Sequence, residues 1–153
     1  MFDDNHTRND VKFDQVLRNF KATTPGVLGC SISTTDGYLI ASELASSIKD
    51  ERVAALAAAL IWVGQQTTQD LVQGPLQRVY IEGEYSEVIV MGAGPESLLC
   101  ALVNKDAKFG LVCFQMQRAA KELTEIALEQ TIFGSHPTPM ISGDDLAGAI
   151  SKE

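Results

Sequence analysis

The chain is short of the residues that most metal and redox sites require. It holds two histidines, His6 and His136, both outside the periodic segments, so no Ser-His-Asp or Cys-His device can be assembled in a core. Its three cysteines, Cys30, Cys100 and Cys113, are an odd number with no CxxC pair among them. A disulfide framework and a zinc site are therefore not expected, and the cysteines read as small buried hydrophobes in a reducing compartment. A cysteine nucleophile would need a nearby base, and none is in sight. No metal and no cofactor are expected.

Other absences narrow the class. No apolar run reaches the roughly 18 to 20 residues of a membrane span. The opening MFDDNHTRND lacks the basic-then-apolar order of a signal peptide, so the expected location is cytoplasmic. There is no GxxxxGK[ST] loop, and Gly92-Ala93-Gly94-Pro95-Glu96-Ser97 lacks the lysine that would reach nucleotide phosphates. Basic residues are in the minority, 12 against 20 acids, for a net charge of −8. That balance repels phosphate backbones and anionic lipid, which argues against nucleic acid or a membrane as the main partner. Between Asp36 and Asp106 ten acids face four bases, an acidic middle that would suit a basic protein partner.

What is present suits one domain: 153 residues, 45% of them hydrophobic, enough to bury a core unaided. Residues 1–9 are expected to be a mobile lead-in, with Asp10 as the N-cap of a first helix carrying Phe13, Val16, Leu17 and Phe20 at i, i+3, i+4 and i+7. Thr24-Pro25-Gly26 stops it. Val27 to Thr34 and Tyr38 to Leu44 read as strands joined by Thr35-Asp36-Gly37 in a tight hairpin, with Gly29 marking a bulge or a close helix approach. Arg78 to Gly83, Glu87 to Ala93 and Leu98 to Asn104 read as a three-strand meander. Phe109, Val112, Cys113, Met116, Ala120, Leu123 and Ala127 mark a last helix over about 108–130. From Phe133 the Gly/Ser/Pro content predicts a tail over 133–153. The expected fold class is α+β: a five-stranded, mainly antiparallel sheet covered by three helices, with the domain over 10–132.

The central helix, Asp50 to Gln73, has two apolar faces. Val53, Leu56, Leu60, Val63, Thr67 and Leu71 form one, expected to lie on the sheet. Ala54, Ala57, Ala58, Ile61, Gly64, Gln65 and Thr68 form the other, made almost wholly of small side chains. Small residues let two backbones approach closely, so this face is expected to pack on the same helix of a second copy. Trp62 lies on neither face, and with Gln66 and Gln69 it is the expected anchor for a further partner.

Several of these stretches also resemble a known family. Thr24-Pro25-Gly26-Val27-Leu28-Gly29, then Asp36-Gly37-Tyr38-Leu39-Ile40-Ala41, is similar to the PGV.G turn and DG..IA hairpin of the roadblock (dynein light chain, MglB-like) family. The likeness continues through the Ala-rich helix, Val79-Tyr80-Ile81, Val88-Ile89-Val90 and the Leu98 to Val103 strand. It implies a roadblock/profilin-like sheet with two helices on one face and one on the other. It further implies a homodimer whose third strands pair, bringing Arg78, Tyr80 and Glu82 to the interface, and a non-catalytic platform for a Ras-like small GTPase. Arg52 and Arg78 are free candidates for an arginine finger, but surface ion pairing is the commoner use of such residues. Two other readings remain open: a structural adaptor of a larger complex, and a profilin- or PAS-like small-molecule sensor.

Overall fold

The computed structural model describes residues 4–71 and 74–130. Among them the order is α1 (Asp4–Thr23), β1 (Val27–Thr34), β2 (Leu39–Glu43), α2 (Asp50–Leu71), β3 (Val79–Glu82), β4 (Ser86–Gly92), β5 (Ser97–Asn104) and α3 (Phe109–Glu129). The element order expected from the sequence is the one found. The strands form a single sheet in the order β2-β1-β5-β4-β3, every neighbouring pair antiparallel. The tail expected over 133–153, with His136, lies outside the described residues.

Helix α1 begins earlier than its sequence suggested. Its first turn starts at Asp4, so Asp10 lies inside the helix and is not its cap. The polar run Asp4 to Asn9 carries no apolar stripe, and periodicity alone could not separate it from a lead-in. The helix stops where expected. Gly26 adopts φ +95° after Pro25, and its carbonyl accepts the Asn104 amide at 2.7 Å, tying the α1–β1 turn to the end of β5.

Both faces of the sheet are covered. Phe13, Leu17 and Phe20 of α1 and Val112, Met116 and Leu123 of α3 pack on Cys30, Ile32, Ile89, Leu99 and Ala101 in the larger core cluster. Alternation along β1 and β5 sends the other side chains to the opposite face, where Ala57 and Ile61 of α2 meet Val90, Leu98 and Cys100. Gly29 does mark a bulge, as the β1–β5 register shifts between Val27 and Gly29. The close approach there is to the end of β2, because a methyl at Gly29 would lie 2.9 Å from Leu44 Cδ2.

The seating of α2 corrects one expectation. The face that meets the sheet is the small one: Ala54, Ala57 and Ile61 are buried within the chain, and Ala58, Gly64 and Thr68 are half-buried beside them. A methyl at Gly37, the tip of the β1–β2 hairpin, would lie 3.4 Å from Ala55 Cα and 3.6 Å from Ala58 Cβ. A methyl at Gly64 would lie 2.8 Å from Val79 Cγ2. The helix is small on this side because its own hairpin and third strand press against it. Of the bulkier stripe, Val53 and Leu60 are half-buried against the same cluster, while Leu56, 53% exposed, and Val63, 54% exposed, point away. Both faces repeat with the same period, so periodicity could find two apolar faces without saying which is inner.

Candidate interaction site at the third strand and central helix

Strand β3 is a sheet edge, with β4 on one side and, among the described residues, no strand on the other. The opposite edge, β2, is flanked by α1, whose Arg18 Nε lies 3.4 Å from Glu43 Oε1. Strand β3 carries no proline and none of the bulging that blunts free edges. Val79 and Ile81 share the face covered by α2, and Ile81 is 43% exposed. Ile81, Val88, Leu102, Leu56 and Leu60 line an apolar groove of about 400 Å³ beside the helix. Exposed bulk on α2 and exposed bulk on β3 thus form one continuous apolar strip.

The other face of β3 is charged and aromatic. Tyr80 meets Phe109 edge-to-face, ring centroids 4.8 Å apart at 67°. Glu82 stands directly opposite Glu87 across the β3–β4 ladder, and Glu87 is buried. Hydrogen bonding to the Glu87 carboxylate, with burial and the nearby Glu82 and Glu87 charges, pushes the Tyr80 phenol up to about 12. Lys105 Nζ sits 3.3 Å from Glu82 Oε1. Arg78, just before β3, has a buried Nε with no hydrogen-bond partner and joins no ion pair among the described residues.

Placement of the expected site residues follows from this. Arg78, Tyr80 and Glu82 lie together on the outer edge. Trp62, 63% exposed, lies on the outer side of α2 with Gln65, Gln66 and Gln69, all exposed. Ala54, Ala57 and Ile61 are not at the surface as a second copy would require, and the exposed Leu56 and Val63, with half-buried Leu60 between them, take their place. The signal for that flank was in the sequence, since it is the bulkier of the two stripes.

The three cysteines carry no sign of an activated nucleophile. Burial raises the Cys30 thiol to about 12 and the Cys100 thiol to about 11, and burial also raises Cys113 against a lowering by Arg78. Such thiols are poor nucleophiles at neutral pH. Among the described residues no three His, Cys, Asp or Glu side chains cluster as a metal site would need, and no helix is long and apolar enough to cross a membrane.

Comparison with known proteins decides the family. The sequence profile of the Roadblock/LC7 domain matches residues 12–103. The chain belongs to the Roadblock/LC7 family. Two uncharacterised proteins of Methanocaldococcus jannaschii are each 33% identical over 110 residues, which is 72% of this chain and 95% of each relative. The Roadblock/LC7 domain from Streptomyces avermitilis superposes with a TM-score of 0.72 at 18% identity, over 75% of this chain and 97% of that one. The gliding protein MglB from Thermus thermophilus superposes at 0.68 with 22% identity, over 84% and 95%. At such identities these solved structures show that the roadblock fold is shared.

Proposed function

We infer that the chain is a homodimeric, non-catalytic platform that binds and regulates a Ras-like small GTPase in the cytoplasm. The roadblock domain is assigned to 10–132 and the remainder, 133–153, to a C-terminal tail. Membership of the Roadblock/LC7 family supports the class of function, because the family resembles a set of GTPase-binding platforms with no active site of their own. The observation that carries the dimer is the apolar strip running from Leu56 and Leu60 of α2 onto the edge at Ile81, which no strand among the described residues pairs. Leaving it in water forgoes the burial of several large side chains, and a second copy offers a matching strip across a two-fold axis. The groove beside α2 is continuous with that edge, which favours a second copy over a small ligand as its occupant.

Pairing of β3 with β3 extends the sheet to ten strands and leaves the outer side of α2 available. Trp62, Gln66 and Gln69 are assigned to the GTPase. An exposed tryptophan supplies a large anchor, and amides can donate and accept without the desolvation cost of a charge. The test is retention of small GTPases from the same cell on the pure protein, in both nucleotide states. Retention of one that is lost on Trp62→Ala supports the reading. Absence of binding in either state at tens of micromolar overturns it, and capture of a partner that is not a GTPase would make the chain a structural adaptor instead.

A further inference from the structure

We propose that two copies join through β3 in a register centred on Tyr80, so that Arg78 of each copy pairs with Glu82 of the other. The proposal rests on the homodimer reading above and goes beyond it by fixing the alignment and the charges that select it.

The starting point is an imbalance on one face of one edge. Glu82 and Glu87 are directly opposed across β3–β4, an arrangement of like charges that weakens a sheet. Within reach they have Lys105, which is itself exposed. At the other end of the same strand Arg78 holds a buried Nε without an acceptor. Arg78 is half-buried and only its Nε is an unmet buried donor, which carries a desolvation cost, while the rest of the charged guanidinium remains able to reach a partner. Acid in excess and base unpaired thus sit four residues apart along a free edge.

The geometry of an antiparallel two-fold pair then restricts the answer. Opposed residues point to the same face of the sheet, and across a symmetric pair their residue numbers have a constant sum. Arg78, Tyr80 and Glu82 share the face toward α3: Tyr80 stacks on Phe109, Arg78 acts electrostatically on Cys113, and Glu82 on Tyr80. Keeping both α2 helices on one side of the joined sheet requires an even sum. Centring on Val79 would set Arg78 against Tyr80. Centring on Ile81 would set Tyr80 against Glu82, and Arg78 against Glu84, which lies beyond the end of β3 where the chain turns back with Gly83 N–H donating to the Ser86 carbonyl at 2.9 Å. Centring on Tyr80 opposes Arg78 with Glu82 twice, once on each side of the axis. It also opposes Val79 with Ile81 on the face toward α2, continuing the apolar strip.

The measurement is the dimer dissociation constant by sedimentation for wild type, Arg78→Glu, Glu82→Arg and the double charge swap. Each single reversal should weaken the dimer by about tenfold or more, since two attractive pairs become repulsive. The swap should return to within about threefold of wild type, the non-additive result expected of residues in contact. Single variants as tight as wild type, or a swap no better than either, would overturn the pairing. A second measurement is independent of charge. Under mild oxidation Tyr80→Cys should link to its own copy, and the buried Cys30, Cys100 and Cys113 make wild type the control. Self-linking of Ile81→Cys with none of Tyr80→Cys would overturn the register while leaving the dimer standing. Monomeric wild type at high concentration would instead defeat the homodimer reading itself.

Discussion

A methyl placed on Gly26 would stand 2.3 Å from the Cβ of Ala107. The two residues close the seam between the end of α1 and the β5–α3 turn, where the Asn104 amide donates to the Gly26 carbonyl. The glycine of the PGV turn therefore has two separate reasons to lack a side chain, its positive φ and the backbone it meets.

Replacing it tests both. Gly26→Ala should cost about 3 kcal/mol of folding stability, from the left-handed backbone together with overpacking against Ala107. Urea unfolding followed by circular dichroism reads the loss. Gly74→Ala is the control: it has a similar φ of +90° but nothing within 4 Å of a methyl, so only the backbone part should appear.

This seam shows which parts of the molecule could be read in advance. The turn residues Pro25-Gly26 and Asp36-Gly37 declare themselves because few residues tolerate positive φ, and alternation in β1, β4 and β5 marks strands whose two faces meet different helices. The orientation of α2 could not be read the same way. Ala57 and Leu56 both repeat at helical spacing, and what decides between them is Gly37 against Ala55 and Ala58 and Val79 against Gly64, neighbours that only the fold brings to the helix. At the candidate site, the edge strand with Arg78, Tyr80 and Glu82 was legible from the resemblance. That Arg78 would lack a partner was not, because that depends on which acids the sheet register places within reach.

The reassigned face of α2 is tested by a pair of neighbours. Leu56→Asp puts a charge on the exposed strip and should change monomer stability by no more than about 0.5 kcal/mol while abolishing the dimer. Ala57→Asp puts the same charge against Val90, Leu98 and Cys100 and should cost about 3 kcal/mol or more. Light scattering and thermal melts distinguish them. A Leu56→Asp protein that stays dimeric would return the interface to another surface.

The thiols set a pH dependence with a definite sign. Burial raises Cys30 to about 12, where its Sγ also donates to the Leu17 carbonyl at 3.5 Å, and raises Cys100 to about 11. In the unfolded chain both ionise near 9.0. Between pH 9 and pH 11 the unfolded state has therefore released protons that the folded state keeps, and stability falls as pH rises. Below pH 9 neither thiol contributes a slope. Stability from urea midpoints across pH 8 to 11 checks this, and Cys30→Ala together with Cys100→Ala should make the fall shallower, with Cys113 and, above pH 10, Tyr80 supplying the slope that remains. In the same frame both thiols should resist an aromatic disulfide reagent at pH 8 until the protein is unfolded.

Beneath α2 the sheet carries two serines whose hydroxyls are buried with no partner, Ser31 and Ser33. They face the small stripe of the helix, which has no side-chain acceptor to offer at Ala54, Ala57 or Ala58. Their neighbour Ser42, directly across the ladder from Ser31, differs: its Oγ donates to Asp50 Oδ2 at 2.5 Å, linking β2 to the start of α2. Removing an unmet hydroxyl relieves a desolvation cost, while removing a met one strands the acceptor. Ser31→Ala and Ser33→Ala should each raise stability by about 1 kcal/mol, and Ser42→Ala should lower it by about the same. Because the three substitutions delete the same atom within one pair of strands, their opposite signs in urea unfolding would isolate hydrogen bonding from packing. A loss at Ser31 as large as that at Ser42 would mean that the Ser31 hydroxyl is satisfied in solution, and that the seat of α2 is wetter than its alanines suggest.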